Sequence, residues 1–133
     1  MIETQWDRWY PIEKITKRAN LDSISYCDNE LILNFSFIYS IGEITIIFKD
    51  SVLSYRSADE RNFTDTYSFL NETKEKDFYT KWSFFKLKNS NYIEWFNKQD
   101  KNNKQINVEH YLFLTESVVE VLATSAPIVR WVE

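Results

Sequence analysis

His110 is the only histidine in the chain, so it is the only side chain that could act as an imidazole base. Glu109 precedes it, and Arg56 or Arg61 could stabilise an anionic transition state, as a small hydrolase or nuclease would require. In a simpler interpretation, His110 opens a buried strand and hydrogen-bonds a backbone carbonyl. We favour the simpler interpretation, because neighbours in the sequence need not converge in space.

The chain has one glycine, Gly42, and one cysteine, Cys27. Phosphate-binding loops and nucleophile elbows need glycine, because their backbone adopts positive φ or approaches a ligand closely. Cys27 has no neighbouring base to raise its thiolate fraction. We therefore predict a protein that is not an enzyme and has no catalytic, cofactor-binding or metal-binding residues.

The length of 133 residues predicts a single domain spanning residues 1–133. The formal net charge is −4, which argues against nucleic acid as a partner. Polar residues interrupt the apolar stretches, and the first residues lack the pattern of a signal peptide. A single cysteine cannot form an internal disulfide. These features predict a cytoplasmic protein that does not bind membranes.

Aromatic residues are abundant, with five Trp, eight Tyr and ten Phe. Most of them fall on alternating or helical patterns that are typical of a core. Trp6 and Trp9 do not, so they either hold the N-terminal segment against the core or anchor a partner. Acidic side chains could face a basic partner. The acidic residues that we expect to contribute are Asp59, Glu60, Glu109, Glu116 and Glu120.

Hydrophobic patterning predicts the order of elements along the chain. Pro11 suits the first turn of a short helix, and Ser117 with Glu120 matches a capping box that would open another. The remaining predicted elements are an antiparallel meander of three or four strands over residues 21–56, a helix from Thr64, a strand over 82–88, a helix capped by Ser90, a polar loop over 97–107, and strands over 110–114 and 128–132.

These elements predict an α+β fold: a single mixed or mainly antiparallel sheet, beginning with an N-terminal meander, with helices packed on one face. The terminal strand over residues 128–132 could form an exposed edge. Such an edge could pair two copies of the chain, so a homodimeric structural protein is a further hypothesis.

Three stretches of the C-terminal half resemble small uncharacterised bacterial proteins of Bacillus-type genomes. They are Trp82-x-Phe84-Phe85-Lys86, Asn89-Ser90-x-Tyr92-Ile93-x-Trp95-Phe96 and His110-Tyr111-x-Phe113-Leu114-Thr115, followed by Val121-Leu122 and Pro127. In size, acidity and α+β composition the chain is also similar to immunity proteins that neutralise polymorphic toxins. This likeness implies a protein-binding domain that inhibits a toxin domain by occlusion.

Overall fold

The computed structural model describes residues 3–37, 41–75, 77–99 and 107–133. Over these residues the chain forms nine strands, two α-helices and a 3-10 turn at Glu60–Asn62. The strands and helices are β1 (Gln5–Arg8), β2 (Asn20–Cys27), β3 (Glu30–Ser36), β4 (Glu43–Lys49), β5 (Val52–Asp59), α1 (Thr64–Thr73), β6 (Phe84–Lys88), α2 (Asn91–Gln99), β7 (Glu109–Leu114), β8 (Ser117–Ala123) and β9 (Ile128–Val132).

The strands form two antiparallel sheets, so the prediction of a single sheet is wrong. The larger sheet has the order β1-β6-β7-β8-β5, and the smaller has the order β2-β3-β4-β9. The predicted meander is confirmed for β2, β3 and β4. The chain then crosses to the other sheet, where β5 pairs with β8. The fold is α+β and mostly strand.

The core lies between the two sheets and is built from aromatic rings. The Phe35 ring lies 5.2 Å from Phe84 and 5.5 Å from Phe113, and Phe48 lies 5.2 Å from Tyr111. Because side chains alternate along a strand, these contacts define the inner face of each sheet. The inner face of β3 therefore carries residues 31, 33 and 35, all of them fully buried.

Both helices pack on the outer face of the five-stranded sheet. The Tyr92 ring of α2 lies 5.5 Å from His110, a residue on the face of β7 opposite to Tyr111. On the side of α1, Phe69 and Trp6 line the same surface depression, and Trp6 pairs with Leu87 across β1 and β6. The predicted placement of helices on one face therefore holds for the larger sheet.

Two predicted helices do not form. Residues 11–19 contain bends and turns, although Ile15 and Ala19 are buried. Residues 117–123 form β8, a central strand between β7 and β5 with six of its seven residues buried. Because β8 is buried on both faces, its sequence lacks the alternation of polar and apolar residues that marks a half-exposed strand. The helix predicted from the capping-box match was therefore wrong.

The other predicted elements are confirmed with small shifts of their ends. Ser90 caps α2, accepting a hydrogen bond from the Ile93 amide at 3.2 Å. The predicted polar loop overlaps α2 at residues 97–99, and its residues 100–106 lie outside the described residues. In the part of the chain that is described, no helix is long and apolar enough to cross a membrane.

Candidate functional site

His110 is buried and makes two side-chain hydrogen bonds. Its Nδ1 lies 2.7 Å from Ser90 Oγ, and its Nε2 lies 2.9 Å from Glu120 Oε1. These partners differ from the backbone carbonyl that the simpler interpretation expected. A neutral imidazole protonated at Nε2 satisfies both contacts, because it donates to the carboxylate and accepts from the serine hydroxyl.

Glu120 extends this arrangement to the neighbouring strand. Its Oε2 accepts a hydrogen bond from Arg56 Nε at 2.7 Å, and the two residues are direct cross-strand partners in β8 and β5. Burial raises the pKa of Glu120, but hydrogen bonds from His110 and Arg56 outweigh it and lower the pKa overall. The Glu120 carboxylate is thus held in its charged form although it is buried.

The Tyr92 ring of α2 covers Arg56 at the other end of this arrangement. The Arg56 guanidinium lies 3.9 Å from the centre of the Tyr92 ring. The Tyr92 hydroxyl in turn lies 2.5 Å from Ser54 Oγ. We call Ser54, Arg56, Ser90, Tyr92, His110 and Glu120 the buried network. It joins α2 to strands β5, β7 and β8.

The order serine, imidazole, carboxylate is the one that serine hydrolases use to activate a nucleophile. Here the groups are closed off: Ser90 is 4% exposed and His110 is 1% exposed. Ser90 Oγ also accepts the helix-capping bond from Ile93. Two depressions on the described surface, of ≈ 210 and ≈ 280 Å³, are lined by other residues and fall below the roughly 300 Å³ typical of ligand pockets. The network has the order of groups found in a proton relay, and its serine and histidine are both buried.

Of the four residues proposed for an enzyme site, the structure brings together only His110 and Arg56, and it does so through Glu120. Glu109 points to the other face of β7, where it accepts from the Tyr111 hydroxyl at 2.9 Å and from Lys86 at 3.2 Å. Arg61 forms an exposed ion pair with Asp59 at 2.9 Å. Sequence reasoning missed Glu120 as a partner of His110, because it placed Glu120 on a helix. The available signal in the sequence was that Glu120 is a single acid inside the apolar run 118–123.

The two N-terminal tryptophans hold the chain against the core. Trp6 is 5% exposed and lies 5.6 Å from Phe85. Trp9 lies 5.0 Å from Tyr111 and 6.1 Å from Phe113. This is the first of the two roles expected for them. Trp6 in particular has little surface left for a partner.

The acidic residues expected at a partner surface occupy different environments. Glu120 is buried, and Glu109 is paired with Lys86. Glu60 accepts from Arg18 at 3.1 Å, and Asp59 is held by Arg61, which lowers the pKa of that carboxyl. Glu116 is exposed in the turn between β7 and β8. The five acids do not form one patch, but Asp59, Glu60 and Glu116 lie together, because the Glu60 amide donates to the Glu116 carbonyl at 3.1 Å and Asp59 pairs with Ser117.

One apolar surface was not predicted from the sequence. It lies along β2 and β5, which are edge strands of the two sheets. Ile24 and Tyr26 pair with buried Leu33 and Leu31, so they point to the inner face of the smaller sheet, yet they are 37% and 45% exposed. Tyr55 occupies the inner face of β5 and is 42% exposed. The rings of Tyr26 and Tyr55 are 5.3 Å apart.

We call Ile24, Tyr26 and Tyr55 the open edge. Their side chains face the space between the sheets, but no further strand of the described chain covers them. β2 is eight residues long and exposed over most of its length. Comparisons of the chain with protein-family models, with curated proteins and with solved structures each returned no significant match.

Proposed function

We propose that this chain is a non-catalytic protein-binding domain that contacts its partner through the open edge. The single observation that carries the proposal is the exposure of Ile24, Tyr26 and Tyr55 on faces that elsewhere form the core. Large aromatic side chains that are half-exposed at the centre of a surface are typical anchors of protein interfaces. Their ring contact keeps them ordered before binding, which lowers the entropy cost of association.

The buried network supports a non-catalytic role for His110. Its imidazole is enclosed by Ser90, Glu120 and the Tyr92 ring; the contacts with Ser90 and Tyr92 tie α2 to the sheet, and the contact with Glu120 joins β7 to β8. A general base must reach the proton that it removes, directly or through one water. In this arrangement the histidine stabilises the scaffold that carries the open edge on its opposite side.

The finer proposal is an immunity-like inhibitor that acts in the cytoplasm and occludes a toxin domain. It rests on the net charge of −4 and on the likeness in size and composition to immunity proteins. A protein of this kind would meet a basic surface, because complementary charge accelerates encounter and selects the partner. The free and exposed Cys27 is compatible with a reducing compartment.

Affinity capture from the native host with matched variants tests the protein-binding proposal. Tyr55→Lys places a charge in the open edge, and Trp95→Lys places the same charge on α2, where Trp95 is 52% exposed. We expect a protein that is enriched by the wild-type chain and by Trp95→Lys, but is at least tenfold depleted with Tyr55→Lys. Equal recovery with both variants contradicts the open edge as the site. No enriched protein with the wild-type chain contradicts the proposed function.

Thermal unfolding of both variants before capture shows that each is folded. If Tyr55→Lys does not fold, Tyr26→Lys takes its place, since Tyr26 has a similar exposure on the opposite sheet. If both tyrosine variants fold, both are used in the capture. Because the two tyrosines lie on separate strands, loss of recovery with each of them also locates the partner between β2 and β5.

A further inference from the structure

We propose that the partner of the open edge supplies an extended basic segment, which adds to β2 as a fifth strand of the smaller sheet. This inference rests on the proposed function and names the chemistry of the partner. Three observations carry it: the free backbone of β2, the two different faces of that strand, and the charge of the sheet around it.

The backbone of β2 has hydrogen-bonding groups along its free edge, the edge that faces away from β3. Asp28 and Asn29 both have positive φ, at 51° and 64°, and connect β2 to β3 as a two-residue hairpin turn. Cys27 and Glu30 then form the closing hydrogen-bonded pair. Alternation along an antiparallel ladder points the N–H and C=O groups of Ile24 and Tyr26 away from β3. Strand addition uses such groups as its main source of affinity.

β2 also lacks the devices that protect edge strands. It contains neither lysine nor proline, and its irregularity lies near one end, between Leu21 and Ser23. The opposite edge strand, β9, is shorter, follows Pro127 and carries Arg130. Pairing is therefore favoured at β2, and the free edge there is matched to a segment of about eight residues.

The two faces of β2 differ in polarity. Ile24 and Tyr26 lie on its inner face, whereas Ser23 and Ser25 lie on its outer face with Asn34 and Ile32 of β3. Asn34 donates to Ser23 Oγ at 2.9 Å. An added strand would meet apolar groups on one face and polar groups on the other, so its own residues should alternate in the same way.

Charge selects the polar residues of the added strand. Strands β2 and β3 with their turn, residues 20–36, contain Asp22, Asp28 and Glu30 but neither lysine nor arginine. The lysine and arginine of this sheet, Lys49 and Arg130, lie on β4 and β9. Asp22 accepts from Ser36, a residue on the outer face of β3, and Glu30 lies on that same face. Lys49 faces Glu30 from β4, on the side away from β2. A segment whose outer face carries lysine or arginine would complement this surface, whereas an acidic segment would be repelled.

The test uses two eight-residue peptides with capped ends, one alternating lysine and valine and the other alternating glutamate and valine. Titrations followed by amide NMR spectra of the full chain give both the affinity and the location of binding. We expect the lysine peptide to bind at least tenfold more tightly than the glutamate peptide. We also expect its largest shifts at the amides of Ile24 and Tyr26.

Charge variants supply the matched control. The double variant Asp22→Asn/Asp28→Asn keeps the shapes of both side chains, and asparagine tolerates the positive φ of residue 28. In Glu72→Gln/Glu75→Gln the same charge change is placed on or beside α1, behind the other sheet. The first variant loses two exposed ion pairs, which are individually weak, so we expect it to bind the lysine peptide about fivefold more weakly. The second variant should bind as the wild type does.

Three results would overturn the inference: equal affinity for the two peptides, no binding of either, or shifts outside β2 and β5. A dimer in light scattering, together with protected β2 amides in hydrogen–deuterium exchange, would also overturn it, in favour of a second copy as the occupant. If the peptides fail but captured protein still depends on Tyr55, the proposed function survives without the basic strand. If the lysine peptide binds but no partner is captured, the proposed function fails alone.

Discussion

Removing the charge of Glu120 tests whether the buried network stabilises the fold. In Glu120→Gln the side chain keeps its shape, but its single amide oxygen can accept from either His110 or Arg56 and not from both. If that oxygen accepts from Arg56, the amide nitrogen faces His110 Nε2, which can accept from it only when the imidazole proton lies on Nδ1. In either arrangement both hydrogen bonds to the charged carboxylate are lost. A hydrogen bond to a charged group contributes about 1.5–3 kcal/mol. A broken, fully buried pair costs about 3–5 kcal/mol, but Arg56 can be hydrated because its side chain is 55% exposed.

We therefore expect Glu120→Gln to lower the free energy of unfolding by about 2–3 kcal/mol in urea denaturation. The matched control is Glu109→Gln on the neighbouring strand. Glu109 accepts from Tyr111 and Lys86, is more exposed, and should cost about 1 kcal/mol or less. If the two variants are equally stable, the network contributes no more than a surface ion pair, and our account of His110 is wrong.

The same carboxylate predicts a dependence on pH. The pKa of Glu120 in the folded chain lies below its ordinary value of 4.5. Its stabilisation is therefore complete above pH 4.5 and is lost as the pH falls through the lower folded pKa. Below pH 4.5 the unfolding free energy of the wild type should decline more steeply than that of Glu120→Gln. Parallel declines would contradict this coupling.

Three other changes have effects that follow from local contacts. Gly42→Ala would place a Cβ in steric overlap with Cζ2 of the Trp131 ring, so we expect a loss of about 1–3 kcal/mol in urea denaturation, and no loss would contradict this packing. Ser90→Ala removes the cap of α2 and a partner of His110, so it should cost about 2–3 kcal/mol and reduce the helical circular dichroism signal. Burial, together with the nearby Glu60, raises the pKa of Tyr67 to about 12. The folded chain thus favours the neutral phenol, whose stabilisation is present below pH 10 and is lost between pH 10 and 12, and Tyr67→Phe should flatten that decline.

Local patterns were sufficient to predict the elements whose signals are local. The first three strands of the meander, the helix that begins at Thr64 and the cap at Ser90 each depend on neighbours within a few residues, and each is found in the structure. The crossing from β4 to β5 is different. A short polar turn between two apolar runs predicts a hairpin, but β5 pairs instead with β8, where Glu120 lies 64 residues along the chain from its partner Arg56.

The candidate sites depended even more on distant pairing. His110 meets Ser90 and Glu120 because β7 lies beside β8 and beneath α2, and none of these placements is visible in the residues next to His110. The valines of residues 118–121 are β-branched and favour a strand, whereas the capping box favoured a helix. The open edge was not predicted, because alternation indicates which side chains face inward but does not indicate where the opposite sheet ends.

Hydrogen–deuterium exchange of the chain, alone and with its captured partner, tests most directly whether the open edge is the binding surface. We predict slower exchange of the backbone amides in residues 20–27 and 52–59 in the complex, with no change in residues 64–73 of α1. Protection that is confined to α1 or α2, or unchanged exchange throughout β2 and β5, would contradict binding through the open edge.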